Sequence, residues 1–408
     1  MGFPSCQPDD ARHRDGPYRR HDRGQATSHL CRSRGLATNL ITAIVCGLLG
    51  LLTSPTPGKT QSLDIALYHT SLARQGPGLL LRDIAGGTDP QVLAVAQVIA
   101  HAAPDILLLL DVDYDHGLVT LAALRNAIAV AGVSYPHIFA LPPNTGVVTG
   151  LDADGDGRLG GPQDAQGFGQ FAGQGGMAIL SRYPVRRDQV QDHSARLWRD
   201  MPQAMLTLPD GTPVLARAEL AVQRLSTTGH WAVPFEIQGQ VLWLLAFHAT
   251  PPVFDGPEDR NGRRNHDEAR FWSLYLDGAF GPAPKDRFVI IGDSNMDTVD
   301  SEGRPDAMRA LLHDTRLSDP QPKGGGIQEA DPAHRGAPAL DTVRWPPPGP
   351  GNLRVDYILP SADLTVHDSH VFWPDPADPM APIVQTASRH HLVSVTVEWP
   401  PAALAQPE

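Results

Sequence analysis

Residues 288–295 read Phe-Val-Ile-Ile-Gly-Asp-Ser-Asn, and no other stretch constrains the fold as much. Four consecutive apolar residues suit a strand buried on both faces. Polar groups have no place along such a strand and must wait for its end. Gly292 closes the run, and Asp293 and Asn295 follow at positions i and i+2. An acid and an amide leaving a buried strand share a rim, where scaffolds usually present their function. The same residues also make an Asx turn after a core strand, so the motif alone leaves both readings open.

The pattern recurs along the chain. Residues 63–68 (Leu-Asp-Ile-Ala-Leu-Tyr) alternate as a strand does and run into His69. Residues 89–101 carry apolar positions at helical spacing (Val92, Val95, Val98, Ile99), broken by Pro104-Asp105. Residues 106–110 form a second fully apolar strand that leads into Asp111-Val-Asp113-Tyr-Asp115. A further helix is expected over 118–131 and a strand over 177–180. The strand at 241–247 ends at His248, and Asn265 is placed to cap a helix with Asp267 and Glu268 in its first turn. A strand over 353–359 contains Arg354-Val-Asp356-Tyr, and Ser388-Arg389-His390 precedes the last strand, 392–397. No internal repeat is present. Each strand-end His or acid has an ordinary structural reading alone. Their repetition at His69, Asp111, His248, Asp293, Asn295, Asp356 and His390 is much harder to reach by accident.

Charge and cysteine usage narrow the chemistry. The chain holds 33 Lys+Arg and 45 Asp+Glu. Residues 1–60 are basic, so residues 61–408 carry a net charge of about −16. No Lys/Arg run marks a face for a polyanion, which disfavours nucleic acid without excluding it, because bound cations offset local charge. Cys6, Cys31 and Cys46 all precede residue 60. The body therefore has neither disulfides nor a thiolate nucleophile, and a metal in it must be held by oxygen or imidazole.

The ordered motifs Pro104-Asp-Ile-Leu-Leu-Leu-Leu-Asp111, Gly292-Asp-Ser-Asn295, Arg354-Val-Asp-Tyr-Ile358 and Ser388-Arg-His390 resemble the endonuclease/exonuclease/phosphatase family over roughly residues 62–398. Long loops at 144–176 and 251–264 are similar to those of a secreted bacterial subgroup. The resemblance implies an α+β fold, a four-layer αββα sandwich of two mostly antiparallel sheets flanked by helices. It also implies metal-dependent hydrolysis of phosphoric esters, with Mg²⁺ or Mn²⁺ acting as a Lewis acid on hard oxygen ligands. In these roles Asp111, His69 and Asp293 bear on the metal, and Asp293 positions or deprotonates the attacking water. Asn295 holds water or phosphate. Asp356 orients His390, which contacts the phosphate or transfers a proton. His248 resembles the second histidine of the nuclease branch, a general acid or phosphate donor.

Three positions depart from the family pattern. His69 stands where Asn is usual, Asp111 where Glu is usual, and Arg389 where Asp is usual. Asp111 is one methylene short. Arg389 either repels the metal or binds a phosphate bidentately. His69 offers a nitrogen ligand that suits Mn²⁺ or Zn²⁺ better than Mg²⁺. A small phosphorylated substrate is expected. An extracellular nuclease and a degenerate, non-catalytic phosphate binder remain as alternatives.

Two loops carry further signals. Asp152-Ala-Asp154-Gly-Asp156-Gly matches the first half of a calcium loop and fails at its twelfth position, Gln163, with Asp164 one late. It reads as a structural Ca²⁺ site or a solvated acidic loop. Arg260, Arg263 and Arg264 lie ahead of the expected helix start, where they grip a phosphate or pair with Glu258 and Asp259 as a solvated turn.

At the N-terminus, residues 1–35 read as disordered. Residues 40–53 are an uncharged apolar run behind Arg32 and Arg34 and ahead of Ser-Pro-Thr-Pro-Gly, the pattern of a signal peptide. The run is short for a stable span, although an uncleaved anchor is open. The expected organisation is an extension over 1–60, one catalytic domain over 61–400, and a tail over 401–408. An extracytoplasmic (secreted or periplasmic) monomer is expected.

Overall fold

The structure, a computed structural model, describes residues 61–400. The expected extension over 1–60, its apolar run and the tail over 401–408 lie outside the described residues.

In chain order the first strands are β1 (Gln61–His69), β2 (Ile106–Val112), β3 (His137–Phe139), β4 (Gly176–Ser181), β5 (Gln191–Asp192), β6 (Gly229–Ile237) and β7 (Gln240–His248). Then come β8 (Phe288–Asp293), β9 (Val343–Trp345), β10 (Gly351–Leu353), β11 (Asp356–Pro360), β12 (Val366–Val371) and β13 (Val393–Trp399). The helices are α1 (Leu79–Gly86), α2 (Pro90–Ala102), α3 (Val119–Ala131), α4 (Arg217–Val222), α5 (Arg260–Leu276), α6 (Asp306–Leu312) and α7 (Ala381–Ala387).

β9 and β10 form a separate antiparallel pair. Of the two large sheets, one has the order β12-β13-β1-β2-β4-β3 and the other β11-β8-β7-β6-β5. Each contains a single parallel pair, β1 with β2 and β7 with β8; every other neighbour is antiparallel.

Period-two alternation sets the layers. On β2, Ile106, Leu108 and Leu110 join a core that also holds Trp231, Val233 and Phe235 of β6 and Val289 and Ile291 of β8. Leu107 and Leu109 turn the other way, onto Val95 and Ile99 of α2 and Leu124 and Ile128 of α3. On the second sheet, Phe288 and Ile290 face Phe271 and Trp272 of α5 and Met308 and Leu311 of α6. The result is helix, sheet, sheet, helix, the expected sandwich. Each fully buried Leu or Ile contributes about 1.5–3 kcal/mol relative to exposure.

Most expected elements stand within a residue or two of their place. Asp89 caps α2, accepting from Val92 N at 2.9 Å. Two expectations need correction. The strand expected over 353–359 is divided, because Arg354 and Val355 separate β10 from β11. The helix expected to begin at Asn265 begins at Arg260 after Asp259, so Asn265 lies inside it. Among the described residues, no helix is long and apolar enough to cross a membrane.

Candidate active site

Strand direction explains why residues far apart in sequence meet. β7 and β8 are parallel, so their ends fall together, with His248 opposite Asp293. β11 runs antiparallel to β8 and contributes its first residue, Asp356, at the same level. In the other sheet, β1 and β2 are parallel and pair His69 with Leu110, so Asp111 follows on the same rim. β13 is antiparallel to β1, so His390, just ahead of it, returns to His69. All these ends gather on one edge of the sandwich.

Side chains meet there. Nε2 of His69 lies 3.9 Å and Nε2 of His248 lies 3.8 Å from Oδ2 of Asp293. The His69 ring stacks on His390 with centroids 4.0 Å apart and planes 12° apart, and meets His248 edge-on at 5.1 Å. Nδ1 of His390 is 2.8 Å from Oδ2 of Asp356. Asp293 Oδ1 accepts from Asn295 N at 2.6 Å, and Asn295 Nδ2 donates to Ala249 O at 2.9 Å. Asn295 takes φ 50°, a left-handed conformation that Asn tolerates better than most residues. Trp345 packs edge-on against His390 at 5.5 Å.

Burial and charge set the protonation. Burial first, and Asp356 second, push Asp293 well above the usual carboxylate range. Burial drives the His248 imidazole down to about 3 and that of His69 well below its ordinary value. Burial also opposes a charged His390, but Asp356, Asp293 and Asp111 outweigh it, and its pKa is raised.

Asp111 reaches the rim by an unexpected route. A bulge between Leu110 and Val112 puts it at φ 59° and turns its side chain toward Gly175. Burial, then Asp113, raise its pKa to about 6. Among the described residues the ligand-type atoms that converge here belong to His69, Asp293 and His390, without Asp111.

The other expected site residues lie elsewhere. Arg264 is buried, with Nε on Leu225 O and Nη2 on the carbonyls of Gln166, Arg224 and Ser226. Arg263 is buried on Glu258 O and Thr207 O. The expectation that they grip a substrate is corrected. A buried guanidinium needs every donor satisfied, and backbone carbonyls take them. Arg389 is exposed beside His390, and its carbonyl accepts from Arg344 N at 3.0 Å. In the acidic loop Asp152 and Asp154 converge with Asp164, and Asp156 stands outside that group. Asp164, which the turn at 155–161 brings back, stands beside Asp152 and Asp154 in the place expected for Asp156.

Sequence reading missed the residues that hold these side chains in place. Ser388 Oγ donates to His69 O at 2.7 Å and accepts from His390 N at 3.1 Å. Thr342 Oγ1 accepts from Asp356 N at 3.1 Å. Small hydroxyl residues in loops carry no signal that separates them from turns.

A divalent cation fits this site by one observation. Asp293 Oδ2 is buried without a hydrogen-bond partner, with two imidazole nitrogens within 4 Å of it.

The model of the Endonuclease/Exonuclease/phosphatase family matches residues 80–390. The chain belongs to the endonuclease/exonuclease/phosphatase family. Enzymes of this family hydrolyse phosphoesters and use divalent metals. Solved structures resemble the chain at low identity. An endonuclease/exonuclease/phosphatase from Beutenbergia cavernae DSM 12333 is 17% identical, with 85% of this chain and 73% of that one covered and a TM-score of 0.48. Sphingomyelinase C from Streptomyces griseocarneus is 16% identical over 83% and 99%, with a TM-score of 0.44. Beta toxin from Staphylococcus aureus, solved with bound magnesium ions, is 12% identical over 82% and 99%, with a TM-score of 0.45. No curated protein sequence matches the chain.

Proposed function

We propose that residues 61–400 are the catalytic domain of an exported, metal-dependent phosphoric ester hydrolase with a small phosphorylated substrate. The observation that carries this reading is the convergence of His69 and His248 on the unpartnered Oδ2 of Asp293, beside the buried His390–Asp356 pair. Export rests on the apolar run at residues 40–53.

His69 and Asp293 would hold the cation, which supplies Lewis-acid neutralisation of the phosphoryl oxygens. Its imidazole share favours Mn²⁺ or Zn²⁺ over Mg²⁺. Asp293 orients the attacking water, and it would take that water's proton once a bound cation offsets the burial that raises its pKa. Asp356 fixes the His390 ring through Nδ1 and favours its protonated form, so Nε2 donates toward a phosphoryl or leaving oxygen. His248, kept neutral by burial, offers its Nε2 beside Asp293 as a hydrogen-bond donor to the phosphate. Asn295, held by Ala249 O, keeps its side-chain carbonyl for water.

Arg389 is exposed whereas Asp293 is buried, which speaks against a guanidinium in the metal position and so against the binding-only reading. The acidic body speaks against a nuclease. The test is turnover of aryl phosphodiesters and monoesters with each metal and with EDTA, in wild type and His390→Ala. Metal-dependent turnover lost in the variant is expected. Turnover indifferent to either the metal or His390 overturns the reading.

A further inference from the structure

Helix α5 buries a polar face. Gly262, Arg263, Arg264, Asn265, Asp267 and Glu268 are all buried, although nothing in their composition marks a core helix. Their hydrogen bonds go outward, to loops. Arg264 holds the carbonyls of Gln166, Arg224, Leu225 and Ser226. Glu268 accepts from Thr227 N at 2.5 Å and Thr250 N at 2.7 Å. One turn earlier on the same face, Asn265 Nδ2 donates to Thr250 O and to Ser294 O, each at 2.7 Å.

Those two carbonyls belong to the loops that leave β7 and β8. Strand pairing ends at His248 opposite Asp293, with Ala249 N on Asp293 O at 3.0 Å as the last rung. Beyond it the two chains part. Thr250 lies two residues past His248, and Ser294 lies between Asp293 and Asn295.

We propose that Asn265 is a positioning residue, whose one amide nitrogen fixes the spacing between the His248 loop and the Asp293–Asn295 loop. The residue type fits the task. A primary amide offers two donors on one uncharged atom, a hydroxyl offers one, and a carboxylate offers none. Asn265 Oδ1 is buried without a partner. The side chain is therefore held by its donor half alone. Asn295 Nδ2 on Ala249 O links the same loops from the site side, and Asn265 links them from behind.

For its kinetic arm the proposal rests on the hydrolase reading; its structural arm does not. The experiment compares Asn265→Ala with Asp267→Asn, by hydrogen exchange, thermal melting and kinetics on bis(p-nitrophenyl) phosphate. Asp267 lies on the same buried face but serves Trp198 Nε1 and Met205 N. Asn265→Ala is expected to raise exchange in both catalytic loops together and to lower kcat about 10²-fold with KM little changed. Asp267→Asn is expected to lower the melting temperature and raise exchange near residues 198–205, with kcat retained. If Asn265→Ala leaves both loops protected, or exposes only one, the proposal fails. It also fails if wild type turns over and the two variants lose kcat equally. If wild type shows no turnover, the hydrolase reading fails, and paired exchange in the loops still decides for or against Asn265.

Discussion

Nδ1 of His390 lies 2.8 Å from Oδ2 of Asp356, and both residues are buried. Thr342 and Ser388 hold the two backbones that present them, so the pair is fixed at the main chain as well as at the side chain. Asp356 therefore sets which His390 nitrogen carries a proton toward the site.

Asp356→Asn keeps the size of the side chain and removes the charge that raises the His390 pKa. A fall in kcat of about 10²–10⁴-fold is expected, with a smaller change in KM. The alkaline limb of the pH–rate profile should move to lower pH, because His390 then loses its proton more easily. A pH profile and kcat equal to those of wild type would remove His390–Asp356 from the mechanism.

Gly175 sits at φ 59°, and a Cβ there would meet Asp111 Oδ1 at 2.5 Å. Gly175→Ala should displace the Asp111 carboxylate and cost about 1–3 kcal/mol of stability from backbone strain. Hydrogen exchange across residues 111–113 and a denaturant melt check both effects. Unchanged stability would mean that the loop end yields freely.

His69 supplies an imidazole that the family pattern lacks. His69→Asn should lower affinity for Zn²⁺ and Mn²⁺ by about tenfold or more and affect Mg²⁺ less. Calorimetric titration of each ion against both proteins measures this. An equal loss for all three would indicate a steric role for His69.

Much of this site was legible because a rim residue announces itself at the end of an apolar run. Asp293, Asn295, His248 and His69 all follow buried strands, and parallel pairing made their convergence a matter of topology. Asp111 was legible by position but not by direction, since a bulge is set by backbone pairing and leaves no apolar signature. Arg263, Arg264 and Asn265 were misread for a physical reason. Their polarity resembles a solvated turn, and only the tertiary fold brings the loop carbonyls that let such a segment be buried. β6 was missed as well; Pro234 interrupts its apolar run.

Acid should destabilise the fold through His230. Burial lowers its pKa to about 3 from an ordinary 6.5, with Nδ1 on Ser226 Oγ at 2.6 Å and Nε2 on Glu268 O at 2.9 Å. Between those values the unfolded chain binds a proton that the folded chain refuses. Stability from this residue is thus complete above pH 6.5 and is lost as pH falls toward 3. Glu268 works in the opposite sense. Burial raises it from 4.5 to about 7, so its contribution is complete below 4.5 and is lost as pH rises to 7. In denaturant melts across this range, His230→Gln should flatten the acid loss and Glu268→Gln should steepen it. Parallel curves for all three proteins would contradict both assignments.

The most direct measurement is hydrolysis of bis(p-nitrophenyl) phosphate and p-nitrophenyl phosphate by wild type and His390→Ala, with Mg²⁺, Mn²⁺, Zn²⁺ or EDTA. The expected result is turnover that needs a divalent ion, is greatest with Mn²⁺ or Zn²⁺, and falls by about 10²-fold or more in the variant. Turnover that survives EDTA, or that is equal in His390→Ala, would contradict a metal-dependent hydrolase built on His69, Asp293 and His390.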